Sequence, residues 1–180
     1  KMLVAKGLVS QRPRFATRAT PMSEWPLLAP EVSLWLKDKP YSKSTCLGFI
    51  EMRLGIEPVA AALAAELGEA EDIAEIGAQV AKMKVNKDSP AELLGADVAF
   101  HVAILRASKN PFFWRLKEFI STAMHMSIQA SQHVDGIDIE MHDALYQTIL
   151  ARQPQEAETQ ARFLLKNAMV LVRLYEPAAD

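Results

Sequence analysis

Residues 89–108, SPAELLGADVAFHVAILRAS, decide the fold class. Ser89 is placed to cap a helix, Pro90 suits its first position, and Glu92 completes the spacing of a capping box. From there Phe100, Ile104 and Leu105 recur at helical period, which predicts a helix to about Ser108. Asp97 and His101, four residues apart, share one face of it, near the apolar side.

The same period extends in both directions. Downstream, Asn110-Pro111 opens a helix carrying Phe113, Leu116, Ile120, Ala123 and Met124 to about Gln132. A loop with Gly136 separates it from two more helices, about Ile139–Ala151 and Pro154–Tyr175. Upstream, Glu69 to about Val85 reads as a helix through Ile73, Ile76, Val80 and Met83. Before it, a long helix from about Ser44 to Glu66 contains Pro58, which should kink it near Leu54. A short helix with Val32, Leu34, Trp35 and Leu36 ends at Pro40. No strand is expected after Glu31, so residues 31–180 read as an all-α, antiparallel bundle of six or seven helices.

The first 30 residues differ. Leu3, Leu8 and Val9 edge a short helix that stops at Gly7, and residues 9–12 and 15–19 alternate like two strands around Pro13-Arg14. Residues 21–30, with Pro21, Pro26 and Pro30, form a linker. Residues 1–20 hold five basic groups and no acid, whereas the other 160 carry 15 basic and 22 acidic groups. A basic arm on an acidic body points the arm toward a polyanion.

Composition narrows the class further. At 180 residues, 50% hydrophobic and 23% charged, the chain suits one packed domain and argues against disorder. No uncharged apolar run approaches the ~20 residues of a membrane span, and no secretory signal core opens the chain, so a cytoplasmic protein is expected. The single cysteine, Cys46, excludes an internal disulfide and reads as a small buried hydrophobe.

Few residues could carry chemistry. Asp97, His101 and His142, converging from two helices, could hold a divalent ion such as zinc, nickel or manganese; an Asp–His hydrogen bond beside an unrelated core histidine is the alternative. Arg53 could pair with Glu57 one turn later, or serve as a fork for a carboxylate ligand. His125 could line the same interior, and His133 reads as a solvated loop residue. There is no glycine-rich phosphate loop, no G-x-S-x-G and no H-E-x-x-H. His142-Asp143 spells the dipeptide of helical metal phosphohydrolases, a rival enzymatic reading; a helical interaction module without a small ligand is a third.

Taken together, these residues resemble the GntR family of bacterial transcriptional regulators, in the FadR-type branch with an FCD effector domain. Leu3-Val4-Ala5-Lys6-Gly7-Leu8-Val9 and Arg12-Pro13-Arg14-Phe15-Ala16-Thr17 are similar to the end of a recognition helix and the wing of a winged helix-turn-helix, with Ala16 where the family usually has glycine. Trp25-Pro26-Leu27-Leu28-Ala29-Pro30-Glu31-Val32 resembles the family linker, and Glu51-Met52-Arg53 with Ile56-Glu57-Pro58 the opening of the FCD domain. The resemblance implies a partial winged helix-turn-helix over 1–20, a linker over 21–30 and an effector-binding domain over 31–180, the front of the DNA-binding domain lying before Lys1.

The family's metal site is Asp-x3-His and two further histidines. By that resemblance Asp97, His101 and His142 are three ligands, and the fourth position is Leu164. The linker, the Glu-x-Arg start and this missing histidine look most like the galactonate-type repressors of the branch. The resemblance thus implies a non-enzymatic, ligand-responsive repressor: a homodimer binding operator DNA through residues such as Lys6, Arg12 and Arg14, with Arg53 holding the carboxylate of a sugar acid.

Overall fold

The computed structural model describes residues 2–11, 16–21, 24–26, 29, 32, 42–131 and 137–174, with side chains from 126 to 131 left out. Near the N-terminus, α1 (Met2–Ala5) ends at Gly7, whose φ of 71° is the left-handed stop that glycine adopts without strain. Strands β1 (Val9–Ser10) and β2 (Arg18–Ala19) pair antiparallel, Val9 opposite Ala19 and Ser10 opposite Arg18. The expected helix-then-hairpin is present. Arg12, Pro13, Arg14 and Phe15 at its tip lie outside the described residues, as do Leu27, Leu28, Pro30 and the expected short helix with Leu34, Trp35 and Leu36.

From Lys43 on, the described residues form seven helices: α2 (Lys43–Leu67), α3 (Ala70–Val85), α4 (Pro90–Ala107), α5 (Pro111–Arg115), α6 (Lys117–Ser131), α7 (Ile139–Leu150) and α8 (Pro154–Leu174). The longest, α2, packs mainly along α8 and also touches α4, α6 and α7. Ala60, Ala61, Ala64 and Ala65 occupy one face of α2 at helical spacing and are fully buried, and Ala157 and Ala161 of α8 belong to the same core. Small side chains on both helices let the backbones approach closely. Ile76, Met83, Phe100, Leu105, Ile120, Leu145 and Ile149 fill the remainder.

A second, smaller core joins the N-terminal segment to the bundle. Leu8 and Val32 pack with Phe49 of α2 and with Phe119 and Ala123 of α6, and Trp25 leans on the same cluster. The Trp25 indole N–H also donates to the Thr20 carbonyl at 2.9 Å. Cys46, fully buried as expected, packs with Ile50 and Val172, and burial pushes its thiol pKa up.

Pro58 lies inside α2, which runs through it to Leu67, as expected of the long helix. Two local expectations are corrected. The helix expected from Asn110 to Gln132 is divided at Leu116, whose N–H bonds back three residues to Phe113 at 3.0 Å, a 3₁₀-type tightening. Ser89 occupies the N-cap of α4 but makes no side-chain cap bond. The reciprocal capping box forms instead on α3, between Glu69 and Asp72. Asp72 has a second role there: its carboxylate meets Lys109 at 2.6 Å, tying the start of α3 to the end of α4.

Candidate metal centre

Two helices supply the centre. On α4, Asp97 and His101 lie one turn apart and both are buried, as their spacing predicts. On α7, Asp138 caps the first turn and His142 points inward between Ile139 and Leu145. The three side chains converge, with one candidate ligand atom from each within 4.8 Å of the others. Phe100, fully buried, sets its ring edge-on to both imidazoles, with centroids 5.4 Å from His101 and 5.1 Å from His142.

The protons decide what this cluster can do. His142 Nδ1 lies 2.6 Å from the backbone carbonyl of Asp138, which only accepts, so Nδ1 carries the hydrogen. In the neutral ring, Nε2 then presents a lone pair. That atom is 2.8 Å from Asp97 Oδ1, yet neither atom has a hydrogen-bond partner among the described residues. His101 repeats the arrangement: its Nδ1 is 2.6 Å from Glu57 Oε2, and its Nε2 is 3.4 Å from Asp97 Oδ1. Two imidazole nitrogens and a carboxylate oxygen thus face one another, each ring fixed from behind by an outer acceptor. Such an arrangement repels itself when empty of charge and suits a cation, and outer acceptors of this kind are what orient histidine ligands to metals.

A proton on Nε2 of a ring would also satisfy Asp97, so proton and cation compete for this place. Burial pushes the Asp97 carboxyl up, but His142 and His101 beside it more than offset that and hold it well below the usual carboxylate range. Glu57 is likewise pushed up by burial and brought down more strongly by Arg53 and His101, to about 2. Burial lowers His101 while Glu57 raises it, and the net shift is upward.

The structure brings Arg53 to this cluster through Glu57. Its Nε donates to Glu57 Oε1 at 2.6 Å and its Nη2 to Oε2 at 3.3 Å, so the intrahelical pair is made and both partners are buried. Two of five guanidinium donors are used in this way. Glu57 was legible in the sequence only as Arg53's partner. Its contact with His101 crosses to another helix; the available hint was a carboxylate inside the apolar run from Ile56 to Ala65. Leu164, which the family resemblance aligns with a fourth ligand, is buried in the main core.

Other candidates fall elsewhere. His125 Nδ1 lies 2.7 Å from the Ser121 carbonyl of its own helix, outside the convergent group. His133 lies outside the described residues. Asp143 turns away from His142 and pairs at 2.7 Å with Lys84 near the surface, so the His-Asp dipeptide does not place both groups at one centre. Lys6 is half-buried in the turn after α1, and Arg12 and Arg14 are not described.

Comparison with known proteins gives the family. The fold is that of GntR regulators: a Streptococcus agalactiae GntR structure matches with a TM-score of 0.62 and 18% identity, over 96% of this chain and 77% of that one. In sequence, the HTH-type transcriptional regulator YieP of Escherichia coli K12 is 29% identical over 169 residues, 93% of this chain and 74% of that protein. The galactonate operon transcriptional repressor of the same organism is 24% identical over 172 residues, 93% and 75% of the two chains. The FCD domain model matches residues 49–167, well over half of the chain, which therefore belongs to the FCD family. It is a GntR-type transcription regulator, and its relatives are regulators, not enzymes. No described helix is long and apolar enough to cross a membrane.

Proposed function

We propose that the chain is the effector-sensing part of a cytoplasmic, homodimeric transcriptional repressor that binds a small carboxylate at a divalent metal held by Asp97, His101 and His142. The observation that carries this reading is the 2.8 Å approach of Asp97 Oδ1 and His142 Nε2, two buried atoms without hydrogen-bond partners among the described residues. A carboxylate with two imidazoles suits a borderline ion such as zinc, nickel or manganese. When bound, such an ion supplies coordination positions for carboxylate and hydroxyl oxygens, and Leu164 in the fourth ligand position leaves one more of them open.

Charge supports an anionic effector. With neutral imidazoles, Arg53, Glu57 and Asp97 leave the buried cluster with one net negative charge, which a dication converts to one net positive charge. That suits a monocarboxylate, and Arg53 retains donors for it. The galactonate repressor among the relatives points to aldonic sugar acids as the first compounds to try. Lys6, Arg12 and Arg14, in the basic N-terminal segment, are the residues assigned to operator DNA. Effector binding would act by favouring one arrangement of the bundle and so shifting how two DNA-binding domains are held.

The test is calorimetric titration of D-galactonate and related aldonates into protein loaded with Ni²⁺ or Zn²⁺, with a chelator-treated control. Saturable binding that chelation removes is the expected result. Binding that survives chelation would refute the metal part and leave Arg53 as the anchor. No binding of any aldonate in either state would overturn the sugar-acid assignment.

A further inference from the structure

Glu57 touches both halves of the proposed site. One carboxylate oxygen accepts from Arg53 Nε at 2.6 Å, and the other lies 2.6 Å from His101 Nδ1. The residue is buried, so neither contact is relaxed by water. An ionised carboxylate only accepts, so its approach to Nδ1 is attractive only when that nitrogen holds the ring's proton. The opposite nitrogen of the same ring, Nε2, is then the lone pair that faces Asp97.

We infer that Glu57 is a positioning residue: it fixes His101 with Nε2 turned to the centre and links that imidazole to Arg53. The inference deepens the metal reading and rests on it. His142 obtains the same orientation from a backbone carbonyl, that of Asp138, which no side-chain substitution removes. His101 obtains it from a side chain, so His101 is the ligand whose orientation a substitution can release. Because the same carboxylate holds Arg53, a displacement of the guanidinium reaches the metal ligand through one residue.

Two measurements separate this inference from the metal reading. The first uses the wild-type protein without metal. Long-range ¹H–¹⁵N correlation of the histidine rings, recorded where His101 is neutral, should show its proton on Nδ1; a proton on Nε2 overturns the inference whatever the metal does. The second is Ni²⁺ affinity by competition with a chelating dye for wild type, Glu57→Met and the double variant Arg53→Met/Glu57→Met, methionine offering no acceptor of comparable strength to His101 Nδ1–H. The double variant leaves no unpaired arginine buried, so it keeps the test open if the single one fails to fold. Both folded variants should bind Ni²⁺ about 10–100-fold more weakly. Wild-type affinity in the double variant, with its fold confirmed by circular dichroism, would overturn the inference. If wild type binds no Ni²⁺ while His101 carries its proton on Nδ1, the metal reading falls and the positioning of His101 by Glu57 stands.

Discussion

Replacing Asp97 with asparagine tests the centre at the atom where its strain is concentrated. With both imidazoles neutral and no metal, Asp97 Oδ1 faces His142 Nε2 at 2.8 Å and His101 Nε2 at 3.4 Å with no hydrogen to share. A carboxamide of the same shape brings N–H donors toward those nitrogens and removes a buried charge. Where both imidazoles are neutral, the metal-free Asp97→Asn protein should therefore be at least as stable as wild type; where they are protonated, Asp97 gains ion pairs and the substitution should destabilise. Metal should separate the two. A ligand at 100 times its dissociation constant stabilises the folded state by about 2.7 kcal/mol. For a domain of this size each kcal/mol moves Tm by about 2–4 °C, so wild type should gain about 5–10 °C. Asp97→Asn should gain almost nothing. Differential scanning fluorimetry with a Ni²⁺ and Zn²⁺ series, with and without chelator, measures both quantities. An equal metal-induced shift in the two proteins would refute the reasoning, because the ligand set would then not include Asp97.

Other perturbations follow from the same geometry. Asp72 has its carboxyl held below its ordinary value by Lys109, against the upward push of burial and with help from the Glu69 N–H, so its contribution to stability is present above about pH 4 and fades as pH falls. Asp72→Asn should lower stability at neutral pH by about 1–2 kcal/mol and flatten the acid limb of a Tm-against-pH series; an unchanged acid limb would argue against the staple. Gly77→Ala should destabilise by about 1–3 kcal/mol in urea unfolding although alanine is the better helix former, because an added Cβ would lie 2.6 Å from the Tyr146 ring. Shortening the ring in Gly77→Ala/Tyr146→Leu should recover much of the loss. Asp143→Ala removes only a near-surface pair with Lys84, so it should change stability by less than about 1 kcal/mol and leave Ni²⁺ affinity untouched. Loss of metal binding in that variant would revive the His-Asp pair as a ligand set.

What the sequence made legible was whatever depends on local spacing. The i, i+4 relation put Asp97 and His101 on one face, and apolar neighbours turned His142 inward; both survive in the structure. The Arg53–Glu57 pair was readable for the same reason. What escaped depends on distant partners or on backbone. Nothing near Glu57 in the chain spells its contact with His101, and the Asp138 carbonyl that orients His142 belongs to no side chain. The Ser89 capping box failed although its letters were right. Asp72, which offers a carboxylate to the Glu69 N–H, formed the box that the spacing alone did not single out. The division at Leu116 likewise turns on which carbonyl one N–H reaches, which residue type does not decide.

Met52 and Arg53 are neighbours on α2 with different allegiances. Arg53 belongs to the buried charge cluster, while Met52 packs against both the main core and the small core that holds Leu8 and Trp25. A helix turns as a rigid shaft over so short a distance, so a twist of α2 that re-aims the guanidinium also swings the thioether and, one turn back, Phe49. Leu8, between the N-terminal helix and the hairpin, rests on that same surface. Should Arg53 hold the proposed anion, its aim and the seat of Leu8 and Trp25 would turn on one axle.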